Sequence, residues 1–330
     1  MSGGDRLAER ILQGDRRALA RAITLIESER EDHRAEAETL VAALLPHTGR
    51  ALTLGISGTP GAGKSTFIEA LGSHVIRGGR KIAVLAVDPS SRRSGGSILG
   101  DKTRMPTLSA SADAFVRPSP AGVTLGGVAR KTREAAIACE AAGFGVVLLE
   151  TVGVGQSETA VADMVDGFLL LLAPGAGDEL QGLKRGIVEL ADLVIVNKAD
   201  GELLAEAGRV RADYQAALHL LRPASTAWTV EVLTCSALNG DGIPAVWEAI
   251  LRHRQALEES GGLEAKRRGQ RSSWLWAEVQ AGLIERLKRD PETAAHLREL
   301  ERQVDAGDML PPEAARRLIE RMTGGERKQS

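Results

Sequence analysis

A glycine-rich phosphate-binding pattern constrains this chain more than any other feature. Residues 58–65 have the sequence GTPGAGKS, which is the spacing G-x-x-x-x-G-K-S. An apolar run precedes it at 51–57, and a stretch with helical apolar periodicity follows it at 66–75. Glycines let backbone N–H groups and a helix N-terminus approach an anion closely. The pattern therefore predicts a strand, a phosphate loop and a helix.

The predicted nucleotide contacts of this loop come from its backbone and from two side chains. Lys64 can bridge the β- and γ-phosphates, and the Ser65 hydroxyl can ligate Mg²⁺. The residues assigned to nucleotide contact are Gly58, Gly61, Ala62, Gly63, Lys64, Ser65 and Thr66. The alternative is a glycine-rich turn that binds nothing, which the strand–loop–helix context disfavours.

Composition places the chain among soluble globular proteins. Its 330 residues are 43% apolar and 26% charged, with a net charge of −2. This charge predicts no attraction to nucleic acid, and 3% aromatic residues argue against base-stacking surfaces. The longest apolar run, 168–173, is too short to span a membrane, and the N-terminus lacks an apolar signal segment. Two distant cysteines indicate a reducing compartment, so we expect a cytoplasmic protein.

The pattern of strands and helices predicts an α/β fold with a mainly parallel central sheet. Candidate strands are 51–57, 81–87, 113–117, 145–150, 167–173, 192–197 and 231–235. Several are continuous apolar runs, as expected for strands covered on both faces. With the phosphate loop, this predicts a P-loop NTPase domain over 49–257. A helical N-terminal extension is expected over 1–48 and a helical C-terminal arm over 258–330.

Ligands bind at the carboxyl ends of parallel strands, so the segment after each strand is informative. After 81–87 comes a polar, glycine-rich segment that carries Asp88 and Asp101, which we assign to Mg²⁺ or its bound waters. Its basic residues are candidates for phosphate or partner contacts. They are Arg92, Arg93, Lys102 and Arg104. A solvated loop is the alternative for each of them.

The segment after 145–150 has a nucleotide-switch pattern. Glu150 ends an apolar strand, and Gly153 follows three residues later. The acid can hold Mg²⁺ through water, and the glycine N–H can bond the γ-phosphate. The usual acid at this place is Asp, whereas this chain has Glu. Gln156 is a candidate for orienting the attacking water, and a solvated glutamine is an equal alternative.

The segment after 192–197 predicts selection of guanine. It has the sequence NKAD, in which Asp200 can accept from guanine N1–H and the N2 amine. Asn197 would fix the loop or contact the base, and Lys198 would pack over the base plane. After 231–235 comes Ser236-Ala237-Leu238, where a backbone N–H could contact guanine O6. The residues alone thus predict a Mg²⁺-dependent protein that binds GTP and GDP and hydrolyses GTP.

The C-terminal region predicts helices at 273–287, 291–304 and 312–322. They could fold back on the core or pack against a second subunit. Trp274 and Trp276, two residues apart, face different sides of a helix, which favours a dimerisation arm. The polar, charge-dense segment 258–271 is a candidate boundary.

Five segments together resemble the MeaB/ArgK-type P-loop GTPases, a family that includes the human MMAA protein. They are GTPGAGKS at 58–65, VDPSS at 87–91, GDKTRM at 100–105, ETVGVGQSE at 150–158 and NKAD at 197–200. The resemblance covers nearly the whole chain. It implies a homodimeric GTPase chaperone of adenosylcobalamin-dependent methylmalonyl-CoA mutase that gates cofactor loading and protects the mutase. Any cobalamin site would then lie in the partner.

The resemblance also implies roles for single residues. Lys64 and Ser65 correspond to phosphate and Mg²⁺ contacts, and Asp88, Asp101 and Glu150 to the acids on the metal side. Asp178 to Lys184 correspond to a switch loop that communicates with the mutase, and Arg104 belongs to the matching segment GDKTRM.

Two other functions stay open at this point. Older family labels suggest a kinase linked to amino-acid transport, although no acceptor pocket stands out in the sequence. A nickel metallochaperone would need clustered Cys and His ligands, and His47 and His74 do not form such a cluster.

Overall fold

The computed structural model of the chain describes residues 3–87, 104–118, 125–151, 157–175, 185–219 and 227–324. Its centre is a sheet of seven strands within these ranges. The strands are β1 (Leu52–Gly58), β2 (Ile82–Val87), β3 (Ala114–Pro118), β4 (Val146–Thr151), β5 (Gly167–Leu172), β6 (Leu193–Val196) and β7 (Glu231–Thr234). Each begins and ends within one residue of its predicted bounds.

The sheet is parallel at every strand pair, and its order is β3-β2-β4-β1-β5-β6-β7. β1 lies at the centre, between β4 and β5. The carboxyl ends of β1, β4, β5, β6 and β7 therefore reach the same edge of the sheet. The predicted P-loop α/β fold is confirmed.

Continuous apolar strands arise here because helices cover both faces of the sheet. Along β4, Val147 and Leu149 belong to one apolar cluster, and Val146 and Leu148 belong to another. A third cluster surrounds β6 and includes Tyr214. Since alternate residues of a strand point to opposite faces, every position of these strands is buried in the core.

The helices within the described residues are numbered in chain order. Those before β6 are α1 (Gly3–Leu12), α2 (Arg16–Glu27), α3 (Glu31–Leu44), α4 (Lys64–Arg77), α5 (Pro106–Ala110), α6 (Leu125–Ala141), α7 (Ser157–Ala162) and α8 (Arg185–Leu190). Those after β6 are α9 (Leu204–His219), α10 (Ile243–Glu259), α11 (Gly262–Arg289), α12 (Pro291–Asp305) and α13 (Pro311–Gly324).

The three N-terminal helices pack onto the nucleotide domain. Leu19, Ile23 and Leu40 are fully buried and share an apolar cluster with Cys139 of α6. Arg16 adds polar contacts, since its guanidinium donates to the carbonyl oxygens of Ser111 (2.8 Å) and Ala114 (2.5 Å). These helices therefore extend the core.

By its contacts the chain divides into two compact units, residues 1–270 and 271–330. Helix α11 begins in the first unit at Gly262, eleven residues before the predicted start at 273. The first turns of this helix carry charged residues, of which Lys266 and Arg267 bind polar groups of the first unit. The second unit has its own small apolar cluster of Leu300, Met309, Ala314 and Leu318.

No described helix is both long enough and apolar enough to cross a membrane.

Candidate functional site

The predicted phosphate loop connects the end of β1 to the start of α4. Gly61 and Gly63 have φ angles of +83° and +84°, a left-handed conformation that glycine adopts without strain. The Ala62 N–H donates to the Thr59 carbonyl oxygen at 3.1 Å, which closes the turn. The backbone amides of the loop thus meet the N-terminus of a fourteen-residue helix, a geometry suited to a phosphate group.

Gly58 is required here for packing, which sequence reasoning did not find. A Cβ atom on Gly58 would lie 2.1 Å from the carbonyl oxygen of Leu171 in β5. The position therefore admits only glycine, because β1 and β5 approach each other too closely for a side chain. A glycine at this position of the sequence could equally be explained by strand packing or by phosphate binding, so the pattern alone does not reveal the packing role.

Lys64 is the first residue of α4, and its side chain folds back over the loop. Its Nζ donates to the carbonyl oxygens of Gly58 (2.8 Å) and Thr59 (3.3 Å). Burial lowers the pKa of Lys64, and the nearby carboxylates of Glu150 and Glu158 act in the opposite direction. A phosphate group would offer this ammonium stronger, charged acceptors than two carbonyl oxygens.

Two buried carboxylates belong to this region of the fold. Glu150 is 7% exposed and pairs in register with Ile56 of β1. Glu158 is 2% exposed and lies in the first turn of α7. Sequence reasoning quoted Glu158 only as the last letter of the motif ETVGVGQSE. The sequence feature that could have identified Glu158 is an acidic residue in the first turn of a helix directly after the switch pattern.

Asn197 connects the phosphate loop to both predicted base-binding segments. Its side chain is buried, its Nδ2 donates to the Ala62 carbonyl oxygen at 2.9 Å, and its Oδ1 accepts from the Ala237 N–H at 2.9 Å. The thiol of Cys235 lies 3.6 Å from the same Oδ1. One amide side chain thus fixes three loops at the carboxyl ends of β1, β6 and β7.

The other residues of the NKAD segment lie around this connection. Lys198 is exposed and has a φ angle of +59°, a conformation unusual for a residue with a Cβ atom. Asp200 accepts a short hydrogen bond from the hydroxyl of Ser236. Ala237 is buried and Leu238 is 80% exposed, so the turn after β7 directs its leucine outward.

The structure therefore brings together the predicted phosphate loop, Glu150 and the two predicted base-binding segments. Of the remaining predicted residues, Ser65 is half-buried, and Thr66 and Arg104 are exposed. Several others lie outside the described residues: Asp88, Arg92, Arg93, Asp101, Lys102, Gly153, Gln156, Asp178 and Lys184. Within the described ranges, no group of three or more His, Cys, Asp or Glu side chains is placed to hold a metal ion.

Ser65 and Glu150 still fit a magnesium ion chemically. A hydroxyl at the start of the phosphate-loop helix and a carboxylate at the end of a neighbouring strand are hard oxygen ligands, which Mg²⁺ prefers. Mg²⁺ usually takes few protein ligands and completes its shell with water and phosphate oxygens. Two protein oxygens at this edge are therefore a chemically suitable set.

The comparisons with known proteins agree with this arrangement. The family model described as methylmalonyl Co-A mutase-associated GTPase MeaB matches residues 19–292. The chain belongs to this family. It is a P-loop GTPase.

Individual relatives match over almost the whole chain. It is 56% identical to a putative GTPase of Caulobacter vibrioides, over 96% of each chain. It is 47% identical to the mitochondrial methylmalonic aciduria type A homolog of Mus musculus, over 96% of this chain and 78% of that one. Among solved structures, a LAO/AO transport system kinase is 38% identical, with a TM-score of 0.78, over 98% of this chain and 99% of that one.

Proposed function

We propose that the protein is a Mg²⁺-dependent GTPase that acts as a chaperone of an adenosylcobalamin-dependent methylmalonyl-CoA mutase. The single observation that carries the nucleotide part is the Asn197 side chain, which fixes the phosphate loop to both base-binding segments. A site built in this way would bind the phosphates and the guanine base of one nucleotide together. The partner is supported by the name of the family to which the chain belongs.

In this proposal the protein's residues have separate tasks in GTP binding. Lys64 leaves the carbonyl oxygens of Gly58 and Thr59 and binds the β- and γ-phosphates. Ser65 and Glu150, with Asp88 and Asp101, would hold Mg²⁺ and its waters, and the bound ion would supply positive charge beside the phosphates. The carboxylate of Asp200 binds the N1–H and N2 amine of guanine.

The proposed coupling to the mutase is a nucleotide switch. Segments 92–104, 150–158 and 175–184 would be ordered by the γ-phosphate and Mg²⁺ and would relax after hydrolysis. Arg104, Asp178 and Lys184 are the proposed switch residues, and Gln156 is the candidate for orienting water. The mutase would sense the difference, because a ligand shifts an equilibrium only by its differential affinity for two states.

We also propose a cytoplasmic homodimer with the C-terminal unit as its dimerisation arm. Helix α11 exposes a row of large apolar side chains, of which Trp276 is 63% exposed and Leu283 is 51% exposed. Exposed apolar surface of this kind marks contact sites. The buried free thiols of Cys139 and Cys235 suit a reducing compartment.

The decisive experiment is GTP hydrolysis by the purified protein, alone and with an adenosylcobalamin-dependent methylmalonyl-CoA mutase, with ATP as control. We expect slow intrinsic turnover of GTP, stimulation by the mutase and no turnover of ATP. The Lys64→Ala variant should lose tight GTP binding and hydrolysis. GTP turnover that the mutase does not change would overturn the chaperone role and leave the GTPase intact.

A kinase linked to amino-acid transport is the second candidate, because a similar solved structure is called a LAO/AO transport system kinase. Phosphoryl transfer from GTP to an amino acid would distinguish it. Radiolabelled γ-phosphate should appear only in inorganic phosphate if the protein is a GTPase without an amino-acid acceptor.

A further inference from the structure

A cavity lies between the N-terminal helices and the end of β3. Its volume is about 940 Å³, within the usual range for sites that bind small organic molecules. It is formed by residues of α1, α2 and α3 together with Arg117, the fourth residue of β3. In the sheet order β3 is three strands away from β1, so the cavity is separate from the phosphate loop.

Positive charge exceeds negative charge in the walls of this cavity. Four guanidinium groups line it, against two carboxylates. The arginines are Arg6, Arg10, Arg21 and Arg117, and the acids are Glu27 and Glu36.

Two of the arginines are already engaged. The Arg10 Nε donates to Asp15 at 2.9 Å, and the Arg117 Nη2 donates to Glu27 at 2.7 Å. Arg6 and Arg21 have neither a hydrogen bond nor an ion pair with any described residue, and both are exposed. Two guanidinium groups on neighbouring helices thus keep all their donors for a ligand.

Arg117 adds a fixed guanidinium group to the lining of the cavity. Its Nη2 also donates to the Thr24 hydroxyl at 3.1 Å, so the side chain is fixed. Its Nε is buried and has no acceptor within the described residues. A buried donor without an acceptor costs free energy, so the described residues do not fully pair this guanidinium.

We propose that this cavity binds a small organic anion that carries phosphate or carboxylate groups. The guanidinium fork matches both groups with paired N–H donors, which a single ammonium cannot do. Leu7 and Leu25 supply apolar wall for the carbon skeleton of such a ligand. His33 and Ser28, bonded to each other at 2.8 Å, supply a further polar group to the lining. This site is additional to the guanine-nucleotide site.

The test is isothermal titration of the full chain with its nucleotide site saturated by Mg²⁺ and a non-hydrolysable GTP analogue, which fills the β- and γ-phosphate positions so that the phosphate loop cannot bind the probe. Inorganic phosphate and sodium succinate are titrated separately at constant ionic strength, which distinguishes phosphate from carboxylate recognition. We expect one saturable site in the millimolar range or tighter for at least one probe. The Arg6→Ala/Arg21→Ala variant should weaken it by about tenfold or more.

Arg17→Ala is the matched control, because Arg17 is an exposed arginine of the same helix α2 and does not line the cavity. It should change the affinity by less than about twofold. Unchanged GTP hydrolysis by the double variant would establish that it is folded. The proposal is overturned if neither probe gives saturable binding, or if Arg17→Ala weakens binding as much as the double variant, which would indicate diffuse surface charge.

Discussion

Arg267 holds Asp166 with two parallel hydrogen bonds, from Nε to Oδ1 and from Nη2 to Oδ2, both at 2.8 Å. Asp166 directly precedes β5, and Arg267 lies in the second turn of α11. The same guanidinium donates to the carbonyl oxygens of Gly49 (2.6 Å) and Ala51 (2.9 Å), just before β1. One side chain thus fastens α11 to the amino ends of two central strands, opposite the nucleotide edge.

This pair should contribute strongly to stability, because the Asp166 side chain is only 3% exposed. Arg267→Ala leaves the buried Asp166 carboxylate without its counter-charge, with the Thr53 N–H still donating to it at 3.0 Å, and removes a donor from two backbone carbonyl oxygens. We expect the free energy of unfolding to fall by about 3 kcal/mol or more. Chemical denaturation of the variant measures this loss.

A double-mutant cycle separates the pair from its surroundings. The variant Asp166→Ala/Arg267→Ala should be less destabilised than the sum of the two single variants, since it leaves no unpaired charge. Exact additivity would mean that the two side chains act independently. Arg254→Ala, an arginine of α10 whose Nη2 also donates to the Arg50 carbonyl oxygen, is a suitable comparison at the same edge.

Asn197→Ala should damage both nucleotide affinity and stability. It removes the acceptor of the Ala237 N–H and the donor to Ala62, and both bonds are buried. Each unsatisfied buried group costs about 1–3 kcal/mol, so for the two groups we expect a total loss of about 2–6 kcal/mol in unfolding free energy. Binding of GDP should weaken as well, because the phosphate loop loses its link to the base segments.

Asn239→Ala is the matched control for that variant, as Asn239 is an exposed asparagine in the turn after β7. Its GDP affinity, measured by fluorescence titration, and its thermal stability should both be close to those of the wild type. Normal GDP affinity in Asn197→Ala would show that the three loops hold their positions without this amide.

The base preference should change in Asp200→Asn. The amide cannot accept from both the N1–H and the N2 amine of guanine, while xanthine carries an oxygen where guanine has that amine. We expect preference to move from GTP toward xanthosine triphosphate in competition binding. Asp241→Asn, a change at an exposed acid in the same turn region, should keep guanine preference. Unchanged selectivity in Asp200→Asn would remove this carboxylate from the base site.

The sequence predicted the sheet well, because strands buried on both faces have an unmistakable apolar pattern. It also predicted the residues that the structure brings to the nucleotide edge, since each follows a strand end. The contact between Gly58 and Leu171 depends on the spacing of β1 and β5, which no local pattern encodes. The partners of Arg267 lie about 100 and 216 residues away in the sequence. Without them, the charge-dense segment that contains Arg267 was predicted only as a domain boundary.

If α11 forms the proposed dimer contact, a charge placed in its exposed apolar row should disrupt the proposed homodimer. Leu283→Glu puts a carboxylate in the middle of the row, and desolvating it in an interface is costly. Sedimentation velocity should find a dimer for the wild type and a monomer for the variant. Leu204→Glu is the control, because Leu204 is 60% exposed on α9, outside the arm. A dimer that persists in Leu283→Glu would place the subunit contact elsewhere.

The Glu27 carboxyl makes stability depend on pH in a direction opposite to most acids. Burial raises its pKa above the ordinary 4.5, and the hydrogen bond from Arg117 only partly offsets this. The folded state therefore binds this proton more tightly than the unfolded state. Its contribution is fully favourable below pH 4.5 and is lost as the pH rises through the folded pKa.

Glu27→Gln tests this sign, because glutamine resembles the protonated acid at every pH. Relative to wild type, the variant should gain stability as the pH is raised from about 4 to 7, with the change beginning near the ordinary carboxyl pKa. Urea denaturation at a series of pH values measures the difference between the two proteins, which cancels the titration of all other groups. A difference that is constant with pH, or that grows toward acid, would mean that Arg117 stabilises the carboxylate more than burial destabilises it.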